Sequence, residues 1–316
     1  RDAVVEGLII PNQYTEEIVL HYRFLHDRIQ QASYSLLDPD ELNQWHYKIG
    51  IYLSKKIHKQ EDIIFDVVNH LNFVKSQITN PEEKLQLANW NYQASLKAKS
   101  SNAYAACMVY LNTGISLLPE NSEITHYDLA HSLYSNGVEV AFLRMDFQKM
   151  EENLAWVNKN SKELKDKIPS LEIKIQSLAA ESKLIEAIME AKNVLGLLGV
   201  QMPKNPGKFD VMKELISTKI SLGRKTPNQL LELPEMTDPL KIAAMRILVS
   251  TTSSAFLAMP DLFPIIVFNL IKLSLKYGNS KYSAYGYATY GLVLCGALGD
   301  MKSGNDFGKL GLTLFD

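Results

Sequence analysis

A chain of 316 residues that is 46% hydrophobic and 22% charged is long enough to bury a large core, and its composition is neither fibrous nor disordered. Its 33 Lys and Arg against 35 Asp and Glu leave a formal charge of -2, so no global positive field draws it to phosphate backbones or anionic lipid. Neither nucleic acid nor a membrane is therefore expected as its partner. Cys107 and Cys295 lie far apart in apolar stretches, the pattern of buried thiols in a reducing compartment, which makes a cytoplasmic location the expectation.

The chain starts at Arg1 with no basic segment ahead of an apolar signal core, and both ends read as cuts through a longer protein. Gly7 to Ile10, the turn Pro11-Asn12-Gln13 and the β-branched and aromatic run Ile18 to Phe24 predict a small β-hairpin, the wing of a winged-helix-like segment over residues 1–60. In Asp38-Pro39-Asp40-Glu41 an N-cap is followed by proline at the first helical position and a glutamate that can reach back to the cap's amide. A helix starts there, and Leu42, Trp45, Ile49 and Tyr52 recur at steps of three and four, predicting its apolar face.

After Glu61 the pattern is helix and short turn, with no alternating strand. Asn80-Pro81-Glu82-Glu83 repeats the cap, Asn102 opens a helix that Pro119 ends, and Asp238-Pro239 opens another. Helix pairs recur at roughly the tetratricopeptide spacing of about 34 residues, with insertions. The best copy sets Tyr104, Cys107, Leu111, Gly114 and Pro119 where small residues let paired helices approach and large ones fill the groove to the next pair. Phe147, Met150, Leu154 and Val157 repeat the frame, as do Leu184, Ala187, Ala191 and Val194. A further pair spans Ile242 to Tyr277, and a last one begins near Ser283 and turns at Gly299-Asp300. The expected fold is all-α, a TPR-like helical-hairpin repeat superhelix with the winged-helix-like hairpin at its N-terminus. Its repeats fall in residues 61–200 and 241–316, joined by a proline-containing connection over 201–240. The uncharged run Tyr282 to Gly299 has the length a bilayer requires, but its four glycines among tyrosines suit a close-packed buried helix.

Chemistry-bearing motifs do not assemble. Asp306-Phe307-Gly308 spells the magnesium triplet of protein kinases without the loops that accompany it, so Phe307 is expected to pack and Gly308 to permit a helix contact. Around Lys225-Thr226 the glycine positions of a phosphate loop hold Lys219 and Arg224. The seven histidines, His21, His26, His46, His58, His70, His126 and His131, include no i, i+4 pair of the zinc-binding kind, and His26-Asp27 reads as a cap or packing element. No catalytic residue, cofactor or metal is expected.

The stretch Tyr22-Arg23-Phe24-Leu25-His26-Asp27-Arg28-Ile29-Gln30-Gln31-Ala32-Ser33-Tyr34-Ser35-Leu36 resembles the winged-helix end of an AAA+/STAND-type ATPase module. With Phe65 to Asn72, Ala98 to Ala106, Leu233 to Pro239 and Tyr277 to Ser280, nearly the whole chain resembles the helical region that follows that module in large multidomain bacterial serine/threonine and hybrid histidine kinases. The resemblance implies a non-catalytic scaffold for protein interaction and signal coupling, with a protein or peptide, or the neighbouring ATPase and kinase domains of the same polypeptide, as partners. No phosphoacceptor box is present to carry over. On the repeat frame, Asn89, Tyr92, Lys99, Ser132, Ser135 and Glu139 face the concave side and are the candidate partner-binding residues. The alternative is a structural spacer and homo-oligomerisation element. A third reading, DNA binding by the N-terminal segment, draws on His21, Arg23, His26 and Arg28 and is opposed by the overall charge.

Overall fold

A computed structural model describes residues 2–11, 22–57 and 63–315. The chain divides into two compact units, residues 1–130 and 131–316.

The first unit opens with α1 (Asp2–Val5), β1 (Ile9–Pro11), β2 (Tyr22–Phe24) and α2 (Asp27–Ser35). The two strands pair antiparallel with Ile9 opposite Phe24 and Pro11 opposite Tyr22, so the arms of the expected hairpin meet. Asn12 and Gln13 of its expected turn and the start of its expected second arm, from Ile18 to His21, lie outside the described residues, as do His58 and Glu61. His26 caps α2, accepting from the Arg28 amide at 3.3 Å, which is the capping role its sequence position suggested.

Next come α3 (Pro39–Ser54), α4 (Ile63–Phe73), α5 (Pro81–Ser100), α6 (Tyr104–Leu117) and α7 (Ser122–Thr125), followed by the start of α8 (Tyr127–Leu143). The side-chain caps expected at Asp38 and Asn80 form, without a reach-back bond from Glu41 or Glu83, while α6 begins after Ala103 with no side-chain cap rather than at Asn102. Asp38 accepts from the Asp40 amide at 2.9 Å and Asn80 from the Glu82 amide at 2.9 Å, so an otherwise orphaned donor in each first turn is satisfied. The face of α3 differs from the expectation. Trp45, Ile49 and Tyr52 are exposed, and α3 packs instead through Tyr47, Gly50 and Ile51. Gly50 is what decides this, because a Cβ there would stand 2.6 Å from the Leu71 side chain, so only glycine lets α3 and α4 approach so closely.

Polar side chains then tie these helices together. Tyr47 donates to Glu83 across α3 and α5 at 3.0 Å. Asn72 on α4 and Asn91 on α5 form two reciprocal amide bonds of 2.8 Å, and Asn91, fully buried, also donates to the Leu87 carbonyl. Around them Val67, Leu71, Ile78, Leu87, Ala88 and Leu117 make an apolar core. In α6, Cys107, Leu111 and Gly114 are buried as the repeat frame required, and the helix stops ahead of Pro119.

The second unit holds most of α8, then α9 (Phe147–Asn160), α10 (Leu164–Ala180), α11 (Leu184–Leu197), α12 (Lys208–Leu222), α13 (Pro227–Leu231), α14 (Pro239–Ala258), α15 (Leu262–Tyr277), α16 (Ser283–Leu298) and α17 (Met301–Phe315). Met150, Leu154 and Val157, then Ala187, Ala191 and Val194, are buried as expected, and Asp238 caps α14 through the Leu240 amide at 2.9 Å. Helix pairs are present: α10 packs on α11, α14 on α15 and α16 on α17. Their starting points, Leu164, Pro239 and Ser283, are not evenly spaced. Helix α14 also packs on α10 and α11, past the intervening α12 and α13, a crossing that a constant repeat step does not produce. The Arg246 fork of α14 grips Glu172 of α10 at 2.7 and 2.8 Å, and burial pushes the Glu172 carboxyl up while Arg246 pulls it back.

The uncharged run is helix α16, and it is covered from within. A Cβ on Gly291 would stand 2.5 Å from the Gly304 carbonyl of α17, and one on Gly311 would stand 2.7 Å from the Ala284 carbonyl. Phe307, of the kinase-like triplet, packs edge-on against Tyr290 with ring centres 4.8 Å apart. Gly308 differs from the expectation, since a Cβ there meets nothing within 4 Å, and the close approach belongs to Gly291, Gly304 and Gly311 instead. Burial pushes the Tyr290 hydroxyl up to about 12, with Asp300 adding to it. Among the described residues one helix, Pro239–Ala258 and not α16, is long and apolar enough to cross a membrane, and half of its most apolar window is buried inside the protein.

Candidate functional site

An open groove of the first unit lies beside α5, apart from a cavity of about 350 Å³ between α3 and the turn that leads into α5. Glu82, Leu85, Gln86 and Asn89 recur at i, i+3, i+4 and i+7, so they line one face of the helix. Opposite them stand Thr125 to Leu129, where α7 gives way to α8, and the two walls enclose an open groove of about 510 Å³. Carboxylates from Glu82 and Asp128, the amides of Gln86 and Asn89 and the apolar edges of Leu85 and Leu129 make its lining.

The histidine in that wall is held by its neighbour: His126 Nδ1 lies 2.9 Å from the Thr125 hydroxyl, which in turn lies 3.1 Å from the Asn121 carbonyl. With two carboxylates and two amides, the groove can bond N–H donors and cationic side chains, the groups that a polypeptide segment offers.

Of the six candidate residues, Asn89 lines this groove. Tyr92 and Lys99 continue its face along α5, both half-buried, and Lys99 already has an interaction partner. Ser132, Ser135 and Glu139 belong to the second unit, where they follow one another at steps of three and four on α8, half-buried. Ser135 lies 3.4 Å from His131 Nε2, the Ser132 carbonyl accepts from Asn136 at 2.9 Å, and Glu139 also has a partner. Sequence reasoning missed Glu82, Gln86, His126 and Asp128. The i, i+3, i+4, i+7 set on α5 was available as a signal, but the α7–α8 wall is opposite it only in space.

A second polar cluster joins α2, α3 and α4. The Tyr34 hydroxyl bonds His46 Nε2, and His46 Nδ1 lies 2.9 Å from His70 Nδ1, so the two rings share a single proton between them. Phe73 stacks on His46 with ring centres 4.1 Å apart. Burial, and then the charge of His70, hold the His46 imidazole below its usual value. Burial lowers His70 too, against a smaller opposing effect of Asp66. Among the described residues no group of three or more His, Cys, Asp and Glu side chains is placed to hold a metal ion.

No family model matches the chain, and no solved structure matches it. It is similar to the Hybrid signal transduction histidine kinase G of Dictyostelium discoideum, 22% identical over 340 residues. The match covers 94% of this chain and 10% of that protein, so the chain spans about a tenth of the length of the curated relative. The relative's name carries the hybrid histidine kinase part of the expected resemblance and says nothing of an ATPase module, of serine/threonine kinases or of bacteria.

Proposed function

We propose that the chain is a non-catalytic, partner-binding and signal-coupling part of a larger signal-transduction protein, and that a polypeptide docks in the groove beside α5. The signalling context is supported by the similarity to a hybrid signal transduction histidine kinase. The observation that carries the docking site is the groove itself, because its two walls offer acceptors and amides around an apolar strip, as a bound segment needs. Its helix pairs read as TPR-like, and the ATPase and kinase modules that the resemblance implies on the same polypeptide are the natural partners. Binding there would shift those modules by whatever affinity difference it has for their two states.

A photo-cross-linking side chain placed at Asn89 in the longer parent protein tests this. The expected result is a specific cross-link to one segment, abolished by Gln86→Arg, which fills the groove with a cation. A chain that instead forms concentration-dependent dimers in sedimentation, with no cross-link at Asn89, supports the second reading of a spacer and self-association element. The exposed Trp45, Ile49 and Tyr52 on α3 favour that reading.

A further inference from the structure

Helix α12 carries apolar side chains on two faces and buries one of them. Leu215 and Leu222 enter the core with Phe268 and Tyr290, while Phe209, Met212, Ile216 and Ile220 are 82%, 53%, 52% and 75% exposed. These four follow one another at steps of three, four and four, so at 100° per residue they fall within an arc of about 80° and form a ridge about 16 Å long. A ridge of that length, all large and all uncovered, is more than the scattered exposed apolar residues of an ordinary surface.

The charges around the ridge are sorted. By the same helical geometry Lys213 flanks it on one side and Lys208 and Lys219 on the other, and Arg224 and Lys225 follow just past the helix end, all five exposed. The two acids of α12 are turned away and engaged: Asp210 accepts from the Gly207 amide at 3.0 Å, and Glu214 pairs with Lys272 of α15. The acids that face this region from other elements are Asp261, in the cleft beside Lys208, and Asp300, whose carboxyl Ser303 holds down first and Lys219 and Lys302 more weakly. The ridge is thus bordered along its length by cations whose helix supplies no free anion.

We propose that α12 is a membrane-surface contact, lying in the headgroup plane of an anionic bilayer with Phe209, Met212, Ile216 and Ile220 inserted and the flanking lysines against the headgroups. An apolar ridge with cations on both sides, its Met212 at the edge of a cleft and Phe209, Ile216 and Ile220 standing clear of it, fits an extended negative plane, into which long lysine stems can reach while their apolar neighbours are buried. An acidic protein would instead need a matching concave surface over the same length. The overall charge of -2 does not oppose such a contact, because attraction within a Debye length depends on the local row of charges and not on the sum.

Co-sedimentation with vesicles of phosphatidylcholine alone, and of phosphatidylcholine with phosphatidylserine in equal parts, tests the proposal on the chain as it stands. Binding is expected to the mixed vesicles only and to fall steeply as ionic strength is raised to about 0.5 M. Phe209→Ser and Ile220→Ser should each weaken it about tenfold, and Lys213→Glu about fivefold. All three sit on the exposed surface, so their melting temperatures should match that of the parent chain, and Ile124→Ser, an exposed change on α7, should leave binding intact. Absence of binding, equal binding to neutral vesicles, or binding indifferent to Phe209→Ser would overturn the proposal. So would saturable binding of soluble polyglutamate without vesicle binding, which would assign the ridge to an acidic protein, and so would a dimer abolished by Ile220→Ser, which would assign it to a second copy.

Discussion

Helices α4 and α5 are joined by side chains that bond each other, whereas α16 and α17 come together where glycines let their backbones touch, with Phe307 packed on Tyr290 beside them. The first contact is specified by chemistry: a reciprocal Asn72–Asn91 amide pair, with Tyr47–Glu83 and His46–His70 beside it. The second is specified by volume, since Gly291, Gly304 and Gly311 bring backbone against backbone. A chemically specified contact should be sensitive to lost partners and to protonation, and a volumetric one to added atoms.

The largest effect is expected where volume rules. Gly304→Val drives a Cβ into the Cys295 sulfur and to about 2.8 Å from the Gly291 carbonyl, and because the second obstacle is backbone, the helices must part. A loss of about 3 kcal/mol is expected in urea unfolding followed through the second unit, and a loss below about 1 kcal/mol would contradict the volumetric account. Arg246→Leu comes next, leaving the mostly buried Glu172 carboxylate without its fork. With Arg246 itself 41% exposed at the side chain, about 2 kcal/mol is expected, and Arg246→Lys should recover only part of it.

In the first unit, Asn72→Ala leaves the buried Asn91 amide only its bond to the Leu87 carbonyl and should cost about 1–2 kcal/mol, with the double change to Asn72→Leu and Asn91→Leu milder than the sum of its parts. The smallest effect is pH dependence. Both His46 and His70 are held below their usual values, so the unfolded chain takes up protons first as pH falls below about 6.5. Stability that is present above that pH is lost on going down through it. Thermal unfolding between about pH 7.5 and 5.5 should show a fall for the first unit that His70→Gln flattens, and an unchanged slope in that variant would remove the shared-proton pair as its cause.

What the sequence made legible follows the same division. The caps at Asp38, Asn80 and Asp238 were readable because cap and amide are two residues apart, and so were the buried frames of α6, α9 and α11, whose period is local. The buried face of α3 was not, since Leu42, Trp45, Ile49 and Tyr52 make as good a stripe as Tyr47, Gly50 and Ile51. The choice was made by Leu71, on another helix. Asn89 was reachable from the period of α5, but the opposing wall with His126 and Asp128 depends on how the chain returns after Pro119. The two apolar faces of α12 were present in its sequence as well, yet nothing local says which of them the core leaves open.

The Asn72–Asn91 pair also bears on heredity. Within the pair each amide gives one bond to the other and receives one, while Asn91 gives a second to the Leu87 carbonyl, an exchange that only a second amide of the same reach can return. Aspartate at either position removes a donor, so such a single step away from the pair passes through a less stable chain. The two positions are therefore expected to change together in descent, and a related chain that has changed one of them alone without losing stability would contradict this.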